Sequence, residues 1–232
     1  MKYLLCAAVI ATSFSGLANA DNGVYASVKA GISDTKFKNS SVQYIDYDST
    51  YLSSNETKSI YPTISAAVGY DFSTISPITA RAELEYTYKG KKTFSPDFYA
   101  EIYDGDIDYG NQESWFQNKL TTQSLMLNGY YDFKNTSKFT PYVSAGVGIT
   151  RVKNEITELD YEVTQSDSDN HFTWSAGVGV NYAVSQNIGL DLSYRYVDAG
   201  KFKFNTNLDG DNVESKFKLS SNEYLLGIRY NF

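Results

Sequence analysis

Arg81, Glu83 and Glu85 stand at alternate positions of one short segment, Asp191 lies four residues before Arg195, Glu223 six before Arg229, and Lys29 falls between Ser27 and Gly31. On a β-strand, residues an even number apart share a face. These eight side chains are four cations and four anions that strands could turn to one common surface. On a solvated face they would do little. In a low-dielectric interior an unpaired charge costs several kcal/mol, so the matched numbers predict mutual ion pairing, not proton transfer or a charge-selective lining.

Three other patterns could carry chemistry. His171, the single histidine, is followed by Thr173 and Ser175 at strand spacing, which would let an imidazole meet a hydroxyl as base and nucleophile. Neither a nucleophile motif nor a third group accompanies them, and a wet position at a loop mouth accounts for His171 better. Asp104-Gly-Asp106-Ile-Asp108 and Asn205-Thr-Asn207-Leu-Asp209-Gly210 offer alternate oxygen donors like a calcium loop. Tyr109 and Trp115 occupy the places of the glycine turn and the closing glutamate in the first, and the second ends on Lys216, so solvated acidic loop surface is expected, with no metal site and no cofactor. The third pattern is aromatic. Phe98, Tyr99, Tyr103, Tyr109, Trp115 and Phe116 lie among acids, a composition suited to anchoring a protein partner.

The elements that must position these groups are strands. Alternation predicts eight, over 23–32, 60–72, 78–89, 121–133, 139–151, 171–184, 187–198 and 221–232. One face of each is apolar: Val24 to Ala30, Ile64 to Phe72, Ile78 to Tyr88, Leu125 to Phe133, Val143 to Ile149, Phe172 to Tyr182, Ile188 to Tyr196 and Tyr224 to Phe232, always at every second residue. The other face is Gly, Ser, Thr, Asn and the charges above. A strand that is apolar outside and polar inside suits a barrel in lipid. Connections alternate between short (73–77, 134–138, 185–186) and long (33–59, 90–120, 152–170, 199–220), and aromatics gather at both ends of the strands, as at two membrane interfaces. The fold class is therefore all-β: an eight-stranded antiparallel transmembrane up-and-down β-barrel with short periplasmic turns and four long extracellular loops. Eight strands leave room inside only for side chains, so a plugged core is expected, with Tyr25, Met126, Tyr130 and Tyr142 adding bulk and a narrow passive pore as the competing reading.

The N-terminal segment fits this compartment. Lys2, the apolar run Leu4 to Ala11 and Ala18-Asn19-Ala20 match a secretory signal cut after residue 20, leaving 21–232 as the barrel domain. The cut would remove Lys2 and the single cysteine, Cys6, and move the formal charge from −7 to −8. So acidic a chain argues against nucleic acid as a partner.

The phrases Gly69-Tyr-Asp-Phe72, Gly129-Tyr-Tyr-Asp-Phe133, Pro141-Tyr-Val-Ser-Ala-Gly-Val-Gly148 and Arg229-Tyr-Asn-Phe232 resemble the eight-stranded outer-membrane barrel superfamily of the opacity proteins and the OmpA transmembrane domain. The resemblance implies a bacterial outer-membrane protein surrounded by membrane lipids and lipopolysaccharide. It further implies insertion by the barrel assembly machinery through a terminal signal at Tyr230 and Phe232, and a role as adhesin, surface antigen or envelope stabiliser. Expected partners of the loops are host-surface or matrix proteins, and the expected state is a monomer without enzymatic activity; a lipid- or peptide-cleaving enzyme ranks third, behind the pore.

Overall fold

The computed structural model describes residues 23–44, 49–52, 57–94, 98–103, 106–112, 116–158, 163–208 and 211–232. Along the chain the strands are β1 (Val24–Tyr44), β2 (Ser49–Leu52), β3 (Thr57–Asp71), β4 (Ala80–Phe94), β5 (Phe98–Tyr103), β6 (Asp106–Gln112), β7 (Phe116–Asp132), β8 (Phe139–Glu158), β9 (Val163–Ala183), β10 (Ile188–Leu208) and β11 (Asp211–Asn231). Eight of them, β1, β3, β4 and β7 to β11, pair antiparallel with their neighbours in chain order, and β11 pairs back on β1, so the barrel is closed. Closure leaves no open edge around the membrane-spanning part of the wall, whereas above it β9 and β10 pair only as far as Trp174 opposite Asp198. The proposed signal segment 1–20 lies outside the described residues.

The eight expected strands form with the expected facing. Val28, Ile64, Leu84, Leu127, Val147, Val178, Leu192 and Ile228, one from each, are exposed on the outer wall, while Lys29, Ser65, Glu85, Asn128 and Asp191 beside them are buried. Aromatic pairs mark the two rims. Tyr70–Phe72, Tyr131–Phe133, Phe139–Tyr182 and Tyr230–Phe232, with ring centroids 4.8–5.3 Å apart, lie at the end with the short turns. Trp174–Tyr196 and Tyr194–Tyr224 lie at the other. Amphipathic rings settle at the headgroup level, so these pairs bracket the bilayer.

The four long loops need correction, because most of their residues are strand. β1 runs on to Tyr44, β8 to Glu158 and β10 to Leu208; β9 and β11 begin at Val163 and Asp211. Strands of 20 or 21 residues are about twice the 9–11 needed to cross a bilayer. The surplus stands outward by roughly 25 Å, at about 3.3 Å per residue and ~40° of tilt. In this outer storey the polarity code turns inside out. Outward positions of β1 go from Val28 and Ile32 to Lys36 and Lys38, while the inward series that holds Lys29 and Ser33 ends on buried Phe37. Facing water, a barrel gains by burying apolar groups inside, at ~1.5–3 kcal/mol for each large side chain. Phe37, Tyr61, Leu120, Val152, Phe202, Phe204, Phe217 and Leu219 form that core.

One bulge makes the core possible. Asp198 faces Ser220 and Gly200 faces Leu219, so Ala199 is an extra residue in β10, and Gly200 adopts φ +82°, a left-handed conformation natural to glycine. Inward positions before it are Asp191, Arg195 and Val197; after it they are Phe202 and Phe204. Without the phase change the lysines at 201 and 203 would point into the core.

Three short strands extend the sheet sideways at the outer end. β2 pairs with β1 (Val42 opposite Tyr51), β5 with β2 (Tyr51 opposite Glu101) and β6 with β5 (Ala100 opposite Tyr109).

Candidate functional site

Two regions hold the residues singled out above. In the membrane storey the charges form one alternating chain. Lys89 lies 2.7 Å from Glu223, Glu223 2.6 Å from Arg195, Arg195 2.5 Å from Glu85, Glu85 2.8 Å from Lys29 and Lys29 2.8 Å from Glu83. The Tyr130 hydroxyl donates to Glu83 at 2.8 Å, and its ring lies 4.4 Å beneath the Arg81 guanidinium. Arg81 makes a bidentate pair with Asp132 at 2.7 and 2.9 Å, the fork-to-carboxylate geometry that is strongest for arginine. Asp191 accepts the Tyr142 hydroxyl at 2.7 Å. Arg229 donates to the Asn181 side-chain oxygen at 3.1 Å. Gly179 leaves space for this packing: a Cβ there would stand 2.4 Å from the Tyr142 ring.

All eight predicted interior residues are thus in the barrel lumen, but the pairing differs from a four-against-four match. Asp191 and Arg229 take neutral partners, and the ion pairs are completed by Lys89 and Asp132, which the sequence reading passed over. The signal for both was facing: Lys89 follows outward Tyr88, and Asp132 lies between outward Tyr131 and Phe133.

The voids around this network are small. One, lined in part by Lys29, Asn128, Tyr142 and Arg195, and another, lined in part by Ser27, Arg81, Asp191 and Arg229, measure about 10 Å³ each, the size of a single water. The aromatic core lies above this layer. Refolded protein in a planar bilayer should therefore give no stable, discrete conductance steps, and such steps would overturn the plugged reading.

The second region is apical. Phe98, Tyr99 and Tyr103 belong to β5 and Tyr109 to β6, a hairpin carried on β2, while Phe116 opens β7 opposite Glu158. Trp115, Asp104, Asp209 and Gly210 lie outside the described residues. The aromatic stretch is therefore mostly hairpin where a loop was expected. His171 packs edge-on against Phe202 at 5.2 Å, and the Thr173 hydroxyl donates to that of Thr150 at 2.7 Å. Among the described residues no group of His, Cys, Asp and Glu has the arrangement to hold a metal ion.

A closed eight-stranded barrel with an apolar outer band, two aromatic rims and an ion-paired lumen defines an integral protein of the bacterial outer membrane. Residues 4–232 match the family model described as "Outer membrane protein beta-barrel domain", and the chain belongs to that family. It is 34% identical to outer membrane protein PagN of Salmonella typhimurium, over 99% of this chain and 98% of that one. The opacity protein opA57 of Neisseria gonorrhoeae is 28% identical over 79% of this chain and 83% of its own. A Rickettsia conorii protein described as a candidate adhesin, RC1281, is 34% identical over 42% of this chain and 43% of its own.

Proposed function

We propose that this outer-membrane barrel is an adhesin whose two-storey barrel is a rigid mount and whose apical strands β2, β5 and β6 make the contact with a host-surface or matrix protein. The observation that carries this is the sheet β1–β2–β5–β6, which leads off the barrel at its outer end and bears the aromatic-rich, acidic segment 98–116. Binding residues on a scaffold that does not depend on them is how recognition surfaces are generally mounted. The likeness to a candidate adhesin supports the same reading.

The protein works without catalysis in this reading. The ring of His171 packs on Phe202 and the Thr173 hydroxyl donates to Thr150, contacts that support this reading. Tyr230 and Phe232 at the inner rim are the contact offered to the barrel assembly machinery; Phe232 N–H donates to the Val24 carbonyl at 3.0 Å, tying that end into the closing seam.

Replacing residues 95–115 by a short Gly-Ser turn tests the adhesive role. β4 and β7 stay paired at Phe94 and Asn118, so the shortened barrel should fold and keep its heat-modifiable gel mobility. Attachment of bacteria displaying it to host cells should fall about tenfold or more, because losing a single strong aromatic anchor costs at least ~1.4 kcal/mol. Undiminished attachment would rule out the apical hairpin.

A further inference from the structure

The wall of the outer storey is not laddered evenly. β8 and β9 stay paired as far as Glu158 opposite Val163, and β10 and β11 as far as Leu208 opposite Asp211. Between these two pairs, β9 and β10 part above Trp174 opposite Asp198, although both continue as strands, β9 from Val163 and β10 to Leu208. Among the described residues, segments 163–173 and 199–208 therefore face each other across a seam, each laddered only on its far side. The bulge at Ala199 starts the parting, and the Gly200 N–H turns to Asp198 Oδ1 of its own strand at 2.9 Å.

Two carboxylates span the seam. Asp169 Oδ2 accepts from the Lys203 N–H at 3.2 Å, and Asp167 Oδ2 accepts from the Asn205 N–H at 3.3 Å. The Oδ1 atoms accept from the next N–H along β9, Asn170 and Ser168, each at 2.7 Å, which aims both side chains across the gap. A carboxylate that stands in for a main-chain carbonyl holds the strands farther apart than the ~4.8 Å of a ladder. Parting β8 from β9, or β10 from β11, breaks main-chain ladders; parting β9 from β10 here breaks side-chain contacts, including that of the His171 ring with Phe202. Segments with so little holding them are the first to open. β3 and β4 also part above Thr63 opposite Lys89, but Pro62 has no N–H to offer a new strand there.

We propose that the β9–β10 seam accepts an extended peptide strand of a partner protein, basic on one face and acidic on the other. Such a strand would ladder to 163–173 on one side and to 199–208 on the other, exchanging carboxylate bridges for main-chain hydrogen bonds, the general logic of strand addition. Charge sets its sequence. Asp167 and Asp169 are two residues apart and share the inward face of β9 with buried Thr173. Once displaced, they favour Lys or Arg at alternate positions of the incoming strand, beside Phe202 and Phe204, whose rings also attract a cation. On the other face Lys201 and Lys203 are exposed and favour Asp or Glu at the positions between. The seam lies in the side wall, apart from β2, β5 and β6, and does not depend on the adhesive reading of those strands.

The test uses the refolded barrel in phosphatidylcholine vesicles and a fluorescein-labelled decapeptide of alternating Lys and Glu, with amide hydrogen exchange read by mass spectrometry. In the free protein, 163–173 and 199–208 should exchange faster than 213–219 of β11, which is laddered on both sides. The peptide should slow exchange in both seam segments. It should bind about tenfold more tightly than the same residues arranged as a Lys block and a Glu block, or than the alternating peptide N-methylated at every second residue, which loses its donors on one edge. D167N/D169N keeps an acceptor oxygen at each bridge and should weaken binding about fivefold through lost charge pairing. Equal affinity of the N-methylated peptide would mean that no ladder forms, and unchanged affinity of D167N/D169N would remove the charged faces; either overturns the proposal. So does a peptide that fails to bind, or one that slows exchange only in 98–112, which would assign the strand to the free edge of β6.

Discussion

Arg195→Met should destabilise the barrel by about 3–5 kcal/mol, the cost of removing one partner from a buried charge network. Arg195 is 9% exposed and joins two carboxylates, donating from Nε to Glu223 and from Nη1 to Glu85. Without it, Glu83, Glu85 and Glu223 face only Lys29 and Lys89 in a medium that solvates charge poorly. The double variant Arg195→Met, Glu85→Gln removes one charge of each sign and leaves two intact pairs, Lys29 with Glu83 and Lys89 with Glu223. It should therefore be more stable than the single variant, a sign reversal that simple loss of packing would not produce. Urea unfolding in lipid vesicles, followed through the fluorescence of Trp174 at the outer rim, measures both. A single variant within about 1 kcal/mol of the parent would mean that the chain of charges contributes little, as exposed ion pairs do.

Phe204→Ala combined with Phe217→Ala should have an effect of similar size in a different place. Phe204 is fully buried, its ring 5.5 Å from that of Phe217 and 6.3 Å from that of Phe202. Truncating one such ring costs about 3–5 kcal/mol. The membrane storey keeps its own network, so the loss should appear as local opening of the outer storey, not as collapse of the barrel. Limited proteolysis would then cut within 199–220 while the heat-modifiable mobility persists. Resistance equal to that of the parent would show that the aromatic core is not what holds the projecting strands together.

The contrast between these two cores explains how far the sequence could be read. Within the bilayer, lipid enforces one rule on every strand, and the alternation from Tyr224 to Phe232 or from Ile78 to Tyr88 announces both the strand and its facing. Interior charges followed from that facing, and Lys89 and Asp132 would have followed too had it been applied to the last two residues of each segment. Above the bilayer the rule inverts. Asp34, Lys36 and Lys38 on the outside of β1 look like loop, because the apolar side of the strand is reduced to an occasional inward Phe37. In β10 the bulge at Ala199 also shifts the phase, so Val197 and Phe202 fall five apart and no two-residue period survives across the boundary. The aromatic segment 98–116 was picked out by composition; that it forms a hairpin laid against β2 depends on long-range pairing that local pattern does not contain.

The outer storey also bears on how such a surface can change over time. Among the described residues, the clustered rings of its core lie at or below Phe204 and Phe217. Insertions, deletions or replacements in the connecting segments 45–48, 159–162 and 209–210 should therefore leave these rings and the ion-paired lumen in place. The crown can drift or accept a grafted peptide while the stalk beneath stays constant, which separates the part of the molecule exposed to selection by its surroundings from the part constrained by its own assembly.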